Sequence, residues 1–95
     1  MEDVLIFKND DAGYLAWMGA HRKDGYVINT RRPPSRKYLK LHYAACYTIS
    51  GTPARGDVWT QGQYAKVCST RRDSLETWAW KTFRKKVDPC EICFA

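Results

Sequence analysis

The chain has 95 residues, room for one domain and too little for two separate cores. Hydrophobic residues make up 44% and aromatics 14%, which excludes a disordered chain. No apolar run approaches the roughly 18 residues that a membrane-spanning helix needs. The net charge of +6 sits in two blocks: residues 22–40 hold seven cations and one carboxylate, and residues 71–86 hold six cations and two carboxylates. Clustered Lys and Arg raise the local potential and attract phosphates. The start, MEDVLIFKNDD, lacks the basic flank and long apolar core of a signal peptide, which points to a reducing cytoplasm. In that setting four cysteines read as thiols or metal ligands rather than disulfides. A chain this small gains from a staple, and a structural metal is the one suited to a reducing compartment.

The apolar run Val4–Phe7 predicts a strand. Asn9, Asp10 and Asp11 then supply N-cap chemistry for a helix over Ala12 to Arg22, with Leu15 and Met18 on one face. Asp24-Gly25 closes that helix. Tyr26 to Thr30 is rich in β-formers, and the Arg31-Arg32-Pro33-Pro34-Ser35 stretch breaks it. Lys37 to Tyr43 alternates, with Leu39, Leu41 and Tyr43 on one face and Tyr38, Lys40 and His42 on the other. The two strands form a hairpin with Arg31, Arg32, Arg36 and Lys37 at its tip.

Residues 50–56 read as a loop, followed by short strands near Val58–Thr60 and Tyr64–Cys68. Asp73 and Glu76 fit a capping box that opens a helix running to about Lys86. Its stripe is Leu75, Trp78, Ala79, Thr82 and Phe83, with Trp78 in the core and Trp80 exposed. Asp88-Pro89 ends the helix. The expected class is α+β: a small single domain over residues 1–95, with a short sheet, a basic hairpin, two helices and one metal site near the C-terminus.

Cys90-Glu91-Ile92-Cys93 is a Cys-x-x-Cys turn that presents two sulfurs to one tetrahedral ion. Redox versions of this motif usually open a helix in a larger α/β domain; here the motif follows a helix. His42 and Cys46, with three residues between them at the end of a strand, supply the other half if the chain turns after Tyr43. The ligand set His42, Cys46, Cys90 and Cys93 suits a closed zinc site. Cys68 is the rival fourth ligand, and with it the site would be all cysteine.

The stretch from His42 to Cys93 resembles the Ada-type zinc domain of bacterial alkylation-repair proteins. That family places a Cys-x3-Cys pair after a strand, then strands and a helix, then a Pro-Cys-x-x-Cys knuckle. Cys46, Cys90 and Cys93 stand at its ligand positions, and His42 stands where the family has its first cysteine. In that family the first cysteine also accepts methyl groups from DNA phosphotriesters. Imidazole is not a thiolate nucleophile, so the resemblance implies a zinc-pinned module beside a phosphate backbone and not methyl transfer.

No Gly-rich phosphate loop and no serine triad can be assembled from these residues. Four donors imply a structural metal, so no enzymatic activity is expected; a reactive thiol remains open if Lys66 and Arg71 lower the pKa of Cys68. The leading expectation is a zinc-stabilised module that binds nucleic acid, DNA more than RNA. Arg31, Arg32, Arg36, Lys37 and Lys40 would hold phosphates, Lys81, Arg84 and Lys85 would extend the track, and Trp59 would stack a base. The alternative is a protein-interaction module or inhibitor of the phage or mobile-element kind with a structural zinc.

Overall fold

The computed structural model describes residues 4–46, 49, 60 and 64–94. The loop expected at 50–56, the short strand near 58–60 and Trp59 therefore lie outside the described residues, Thr60 excepted. The elements in chain order are β1 (Leu5–Phe7), α1 (Asp11–Ala20), β2 (Tyr26–Arg31), β3 (Leu39–Tyr43), β4 (Tyr64–Ser69), α2 (Arg72–Phe83) and β5 (Asp88–Pro89). The five strands form one sheet in the order β1-β4-β2-β3-β5. All pairs are antiparallel except β3 with β5. The α+β class expected from the sequence is the one the chain adopts.

The pairing register assigns the two faces of the sheet. Val27 lies opposite His42 on β3 and Cys68 on β4, while its neighbour Ile28 lies opposite Leu41 and Val67. Side chains alternate along a strand, so these two rows point to opposite faces. On the first face Tyr14 and Met18 of α1 pack with Val27, Cys68, Cys46 and Cys90. On the second, Leu75, Trp78 and Ala79 of α2 pack with Ile28, Leu41 and Val67. Among the described residues one helix therefore covers each face, and the central strands β4, β2 and β3 are largely buried between them.

Both helices differ in detail from expectation. In α1 the buried pair is Tyr14 and Met18, four residues apart, and Leu15 is exposed. Tyr14 takes the inner position because its hydroxyl donates to the Ile49 carbonyl at 2.7 Å, so a phenol can be buried there without an orphaned group. The Asp10 cap forms as expected, accepting from Gly13 N at 2.9 Å. Thr60 ties down the same end: its backbone N and its hydroxyl both donate to the Asp11 carboxylate at 2.6 Å.

The expected capping box of Asp73 and Glu76 does not form. The N-cap is Arg71, with no side-chain cap bond. The Asp73 carboxylate is taken by the Arg71 guanidinium at 2.9 Å, and the backbone is already helical from Arg72. Arg71 holds the Asp73 carboxyl below its ordinary pKa. At the other end α2 stops at Phe83, short of Lys86, because Arg84 adopts a left-handed φ of 56°. Leu75, Trp78 and Ala79 are buried as the stripe predicts, Thr82 is exposed, and Trp80 is exposed as expected.

Gly25 sits where the end of α1 crosses the start of β2. A Cβ there would lie 2.8 Å from the His21 carbonyl oxygen and 2.7 Å from the Trp17 ring, so only glycine allows this approach.

Candidate metal centre and basic face

β3 and its two flanks build the metal centre. His42 is the fourth residue of β3, and the chain turns directly after Tyr43, with Cys46 N donating to the Tyr43 carbonyl at 3.0 Å. β5 then aligns parallel to β3, placing Asp88 opposite Lys40 and Pro89 opposite Leu41. Cys90 N donates to the Leu41 carbonyl at 2.8 Å, which docks the knuckle beside His42. Phe94 N donates to the Cys90 carbonyl at 3.0 Å and closes the turn that brings Cys93 back.

The ligand atoms of His42, Cys46, Cys90 and Cys93 all lie within 4.8 Å of one another. Four donors held at 2.0–2.3 Å around a tetrahedral ion stand about 3.5–3.8 Å apart, so a small contraction closes the site. His42, Cys46 and Cys90 are buried, and Cys93 is partly so. Cys93 Sγ lies 4.0 Å from His42 Nδ1. These four residues could hold one metal ion, and they are the four expected from the sequence.

The electrostatics suit ligation. Burial, with the charges of Lys66 and Lys40 behind it, pushes the His42 imidazole down to about 4, so it stays neutral. Burial works to raise the Cys90 thiol, but backbone N–H groups of Cys93 and Ile92 and the neighbouring thiols outweigh it, and its pKa falls. Burial pushes the Cys93 thiol up to about 12, with Cys46 adding to the effect. A bound cation reverses that shift by stabilising the thiolate.

Cys68 does not belong to this group. It is fully buried in β4 and packs with Tyr14 and Met18 of α1, not with the helix that starts at Arg72. Burial raises its pKa, and Lys66 only partly opposes this, so the thiol is not activated.

The sequence offered Lys66 only as a neighbour of Cys68 and did not show that it is buried. It is 3% exposed, its Nζ donates to Asn29 Oδ1 at 2.8 Å, and it lies 5.8 Å from the centroid of the Tyr14 ring. Burial pushes it down to about 8. Its only sequence signal was its place among apolar residues in a strand, between Ala65 and Val67.

The basic residues gather at the far end of β3. Arg31, Arg32, Arg36 and Lys37 line one open groove of 720 Å³ together with Pro33, Pro34 and Phe83. Phe83 ends α2, so Arg84 and Lys85 leave the helix beside the hairpin tip. Arg31, Arg32, Arg36, Lys37, Arg84 and Lys85 are exposed, and among the described residues none of them is in an ion pair. Lys40 differs: its Nζ donates to Asp88 Oδ2 at 2.8 Å, which raises its pKa and occupies its charge. Lys81 is exposed in the last turn of α2. Trp59 lies outside the described residues.

No helix among the described residues is long and apolar enough to cross a membrane. No family model, no curated protein and no solved structure matches the chain. The resemblance to the Ada-type zinc domain thus rests on the histidine and cysteine spacing alone.

Proposed function

We propose that the protein is a small zinc-stabilised module that binds nucleic acid, DNA foremost, through the basic tip of the β2–β3 hairpin. Zinc is the metal because three thiolates and one imidazole in a tetrahedral cluster suit it, whereas magnesium and calcium take oxygen ligands. Four protein donors leave no open position for a reacting water, so the ion is structural and the module is not an enzyme. With imidazole at position 42, the site has no first-position thiolate to accept a methyl group. Three thiolate ligands also need a reducing compartment such as the cytoplasm.

The observation that carries the nucleic-acid reading is the approach of the end of α2 to the hairpin tip, where Phe83, the residue before Arg84, lines the same groove as Arg31, Arg32, Arg36 and Lys37. The two segments are far apart in sequence. Arg84 adds to this. It occupies a left-handed backbone position where glycine is favoured, and strain of that kind concentrates at functional sites.

The test is the salt dependence of binding to duplex DNA. Each phosphate contact contributes about 0.9 to the slope of log affinity against log salt. Replacing Arg31→Ala together with Arg32→Ala is expected to flatten that slope by roughly two units for all sequences alike. Folding stability should stay within about 0.5 kcal/mol, because both side chains are exposed. An unchanged slope would remove the hairpin tip from the phosphate track.

A protein-interaction module is the second reading, and one feature favours it. β1 is an edge strand that exposes Leu5 and Ile6, and such edges are templates for pairing with another chain. Under this reading, replacing Leu5 and Ile6 with Lys abolishes partner binding and Arg31→Ala does not.

A further inference from the structure

A second cleft, of 380 Å³, lies between α2 and the segment that runs into β5, where Trp80, Arg72, Lys85, Lys86, Val87 and Pro89 form its walls. Its size falls in the range of about 300–1,000 Å³ usual for small-ligand sites. Arg72, Glu76 and Trp80 follow one another at intervals of four on α2, so they stand in a row on its outer side. Trp80 is 49% exposed, so its indole offers an open flat face. Val87 and Pro89 supply apolar surface opposite it.

Cations stand at both ends of this apolar surface. Lys85 and Lys86 follow α2 at the end nearest the hairpin tip. Arg72 starts α2 at the other end, beside the metal knuckle, with its guanidinium carbon 5.0 Å from the centroid of the Phe94 ring. Phe94 in turn stacks on Tyr43 with centroids 4.2 Å apart, so Arg72 is held by a packed aromatic pair. Glu76 lies 3.5 Å from Arg72 Nε and offsets part of that charge, which leaves the cleft net positive.

We propose that this cleft takes one unpaired nucleotide of a single-stranded nucleic acid, its base stacked on Trp80 and its flanking phosphates met by Lys85 and Lys86 on one side and Arg72 on the other. The proposal rests on the nucleic-acid reading and deepens it. A base has an apolar π-face that every sequence shares, and an exposed indole between cations is the arrangement that binds it. A duplex cannot use the site, because its bases are already stacked and paired. Lys85 and Lys86 line this cleft and follow closely after Phe83, which lines the hairpin-tip groove, so one strand can pass from the groove onto Trp80. An acidic peptide would match the cations but would leave the indole face without a stacking partner and set its carboxylates against Glu76.

The experiment uses the full chain with its metal. A single-stranded DNA hexamer, a duplex hexamer and a hexaglutamate peptide are titrated while the four indole N–H resonances are followed by NMR, with that of Trp80 assigned from Trp80→Phe. The hexamer is expected to move the Trp80 resonance, and the duplex is not. Trp80→Ala should weaken single-strand binding about five- to 150-fold without changing the salt slope, and Trp80→Phe should largely restore it. Because Trp80 is half exposed, both variants should keep their metal and melting temperature. If Trp80→Ala binds the hexamer as the wild type does, the cleft is not a base site. Movement of the Trp80 resonance by hexaglutamate and not by the hexamer also overturns the proposal, in favour of an acidic peptide. The hairpin-tip reading fails separately: there the salt slope ignores Arg31→Ala and Arg32→Ala while Trp80→Ala still weakens single-strand binding. Salt-dependent duplex binding with a Trp80 resonance that the hexamer leaves in place keeps the tip and removes the cleft.

Discussion

At one end of β3 the chain buries His42 beside Cys46 and Cys90; at the other it exposes Arg36 and Lys37 to solvent. The first end places four donors within 4.8 Å, and every one of them has a geometric demand. The second end holds charges that among the described residues have no ion-pair partner and touch little of the core. Under the proposed function a metal would hold the fold at the knuckle, and the charges at the tip would be left for a ligand. Substitutions at the two ends should therefore separate stability from binding.

The largest effect is expected at the knuckle. Structural zinc sites contribute about 10–16 kcal/mol of apparent binding energy in small chains, comparable to the whole stability of a domain at about 5–15 kcal/mol. Cys90→Ser should release the metal and abolish the cooperative unfolding transition seen by circular dichroism. Cys68→Ser is its control: the metal should remain, with a loss of about 1–3 kcal/mol from burying a hydroxyl in an apolar site. Metal loss in Cys68→Ser and retention in Cys90→Ser would reverse the ligand assignment.

Acid should weaken the same end. Folded His42 has its pKa pushed down to about 4, below the ordinary 6.5 of an unfolded histidine. Between these values the unfolded chain takes up a proton that the folded chain excludes. Stability therefore falls as pH drops from 6.5 towards 4, in the same direction as the protonation that would release a metal from His42. Urea unfolding at a series of pH values measures it, and a flat stability across that window would contradict the burial of His42.

Gly25 tests the packing that supports the knuckle, since its carbonyl accepts from Ala44 N at 2.9 Å just before Cys46. Gly25→Ala forces a methyl group against the His21 carbonyl and should cost about 1–3 kcal/mol in chemical denaturation. The smallest effect belongs to the tip. Arg84→Gly relieves a left-handed residue and should raise stability by about 1 kcal/mol while weakening DNA binding. A variant that gains stability and keeps full affinity would remove Arg84 from the phosphate track.

The four residues of the candidate metal centre were legible because each pair is local. His42 with Cys46, and Cys90 with Cys93, can be read from spacing, and only their meeting depends on the fold. The hairpin was legible for the same reason: alternation over Leu39 to Tyr43 and the prolines at 33 and 34 are short-range signals. What escaped depends on distant partners. β5 is two residues long and includes Pro89, so nothing in its composition announces a strand. It forms because β3 offers its edge. The pairing of Lys40 with Asp88 spans 48 positions and follows from that same strand, so Lys40 looked like a free cation in sequence. Tyr14 replaces Leu15 inside because its hydroxyl finds the carbonyl of Ile49, 35 residues away. The start of α2 was misplaced for a local reason, since Arg71 takes the Asp73 carboxylate that a capping box would need.

The most direct test of the division between a metal-held end and a phosphate-binding end is native mass spectrometry of the chain purified under reducing conditions. The expected result is one zinc ion per folded chain, with the mass lowered by the protons that the three ligand thiols release. A folded, metal-free chain, or one with Cys90 and Cys93 joined as a disulfide under those conditions, would contradict it.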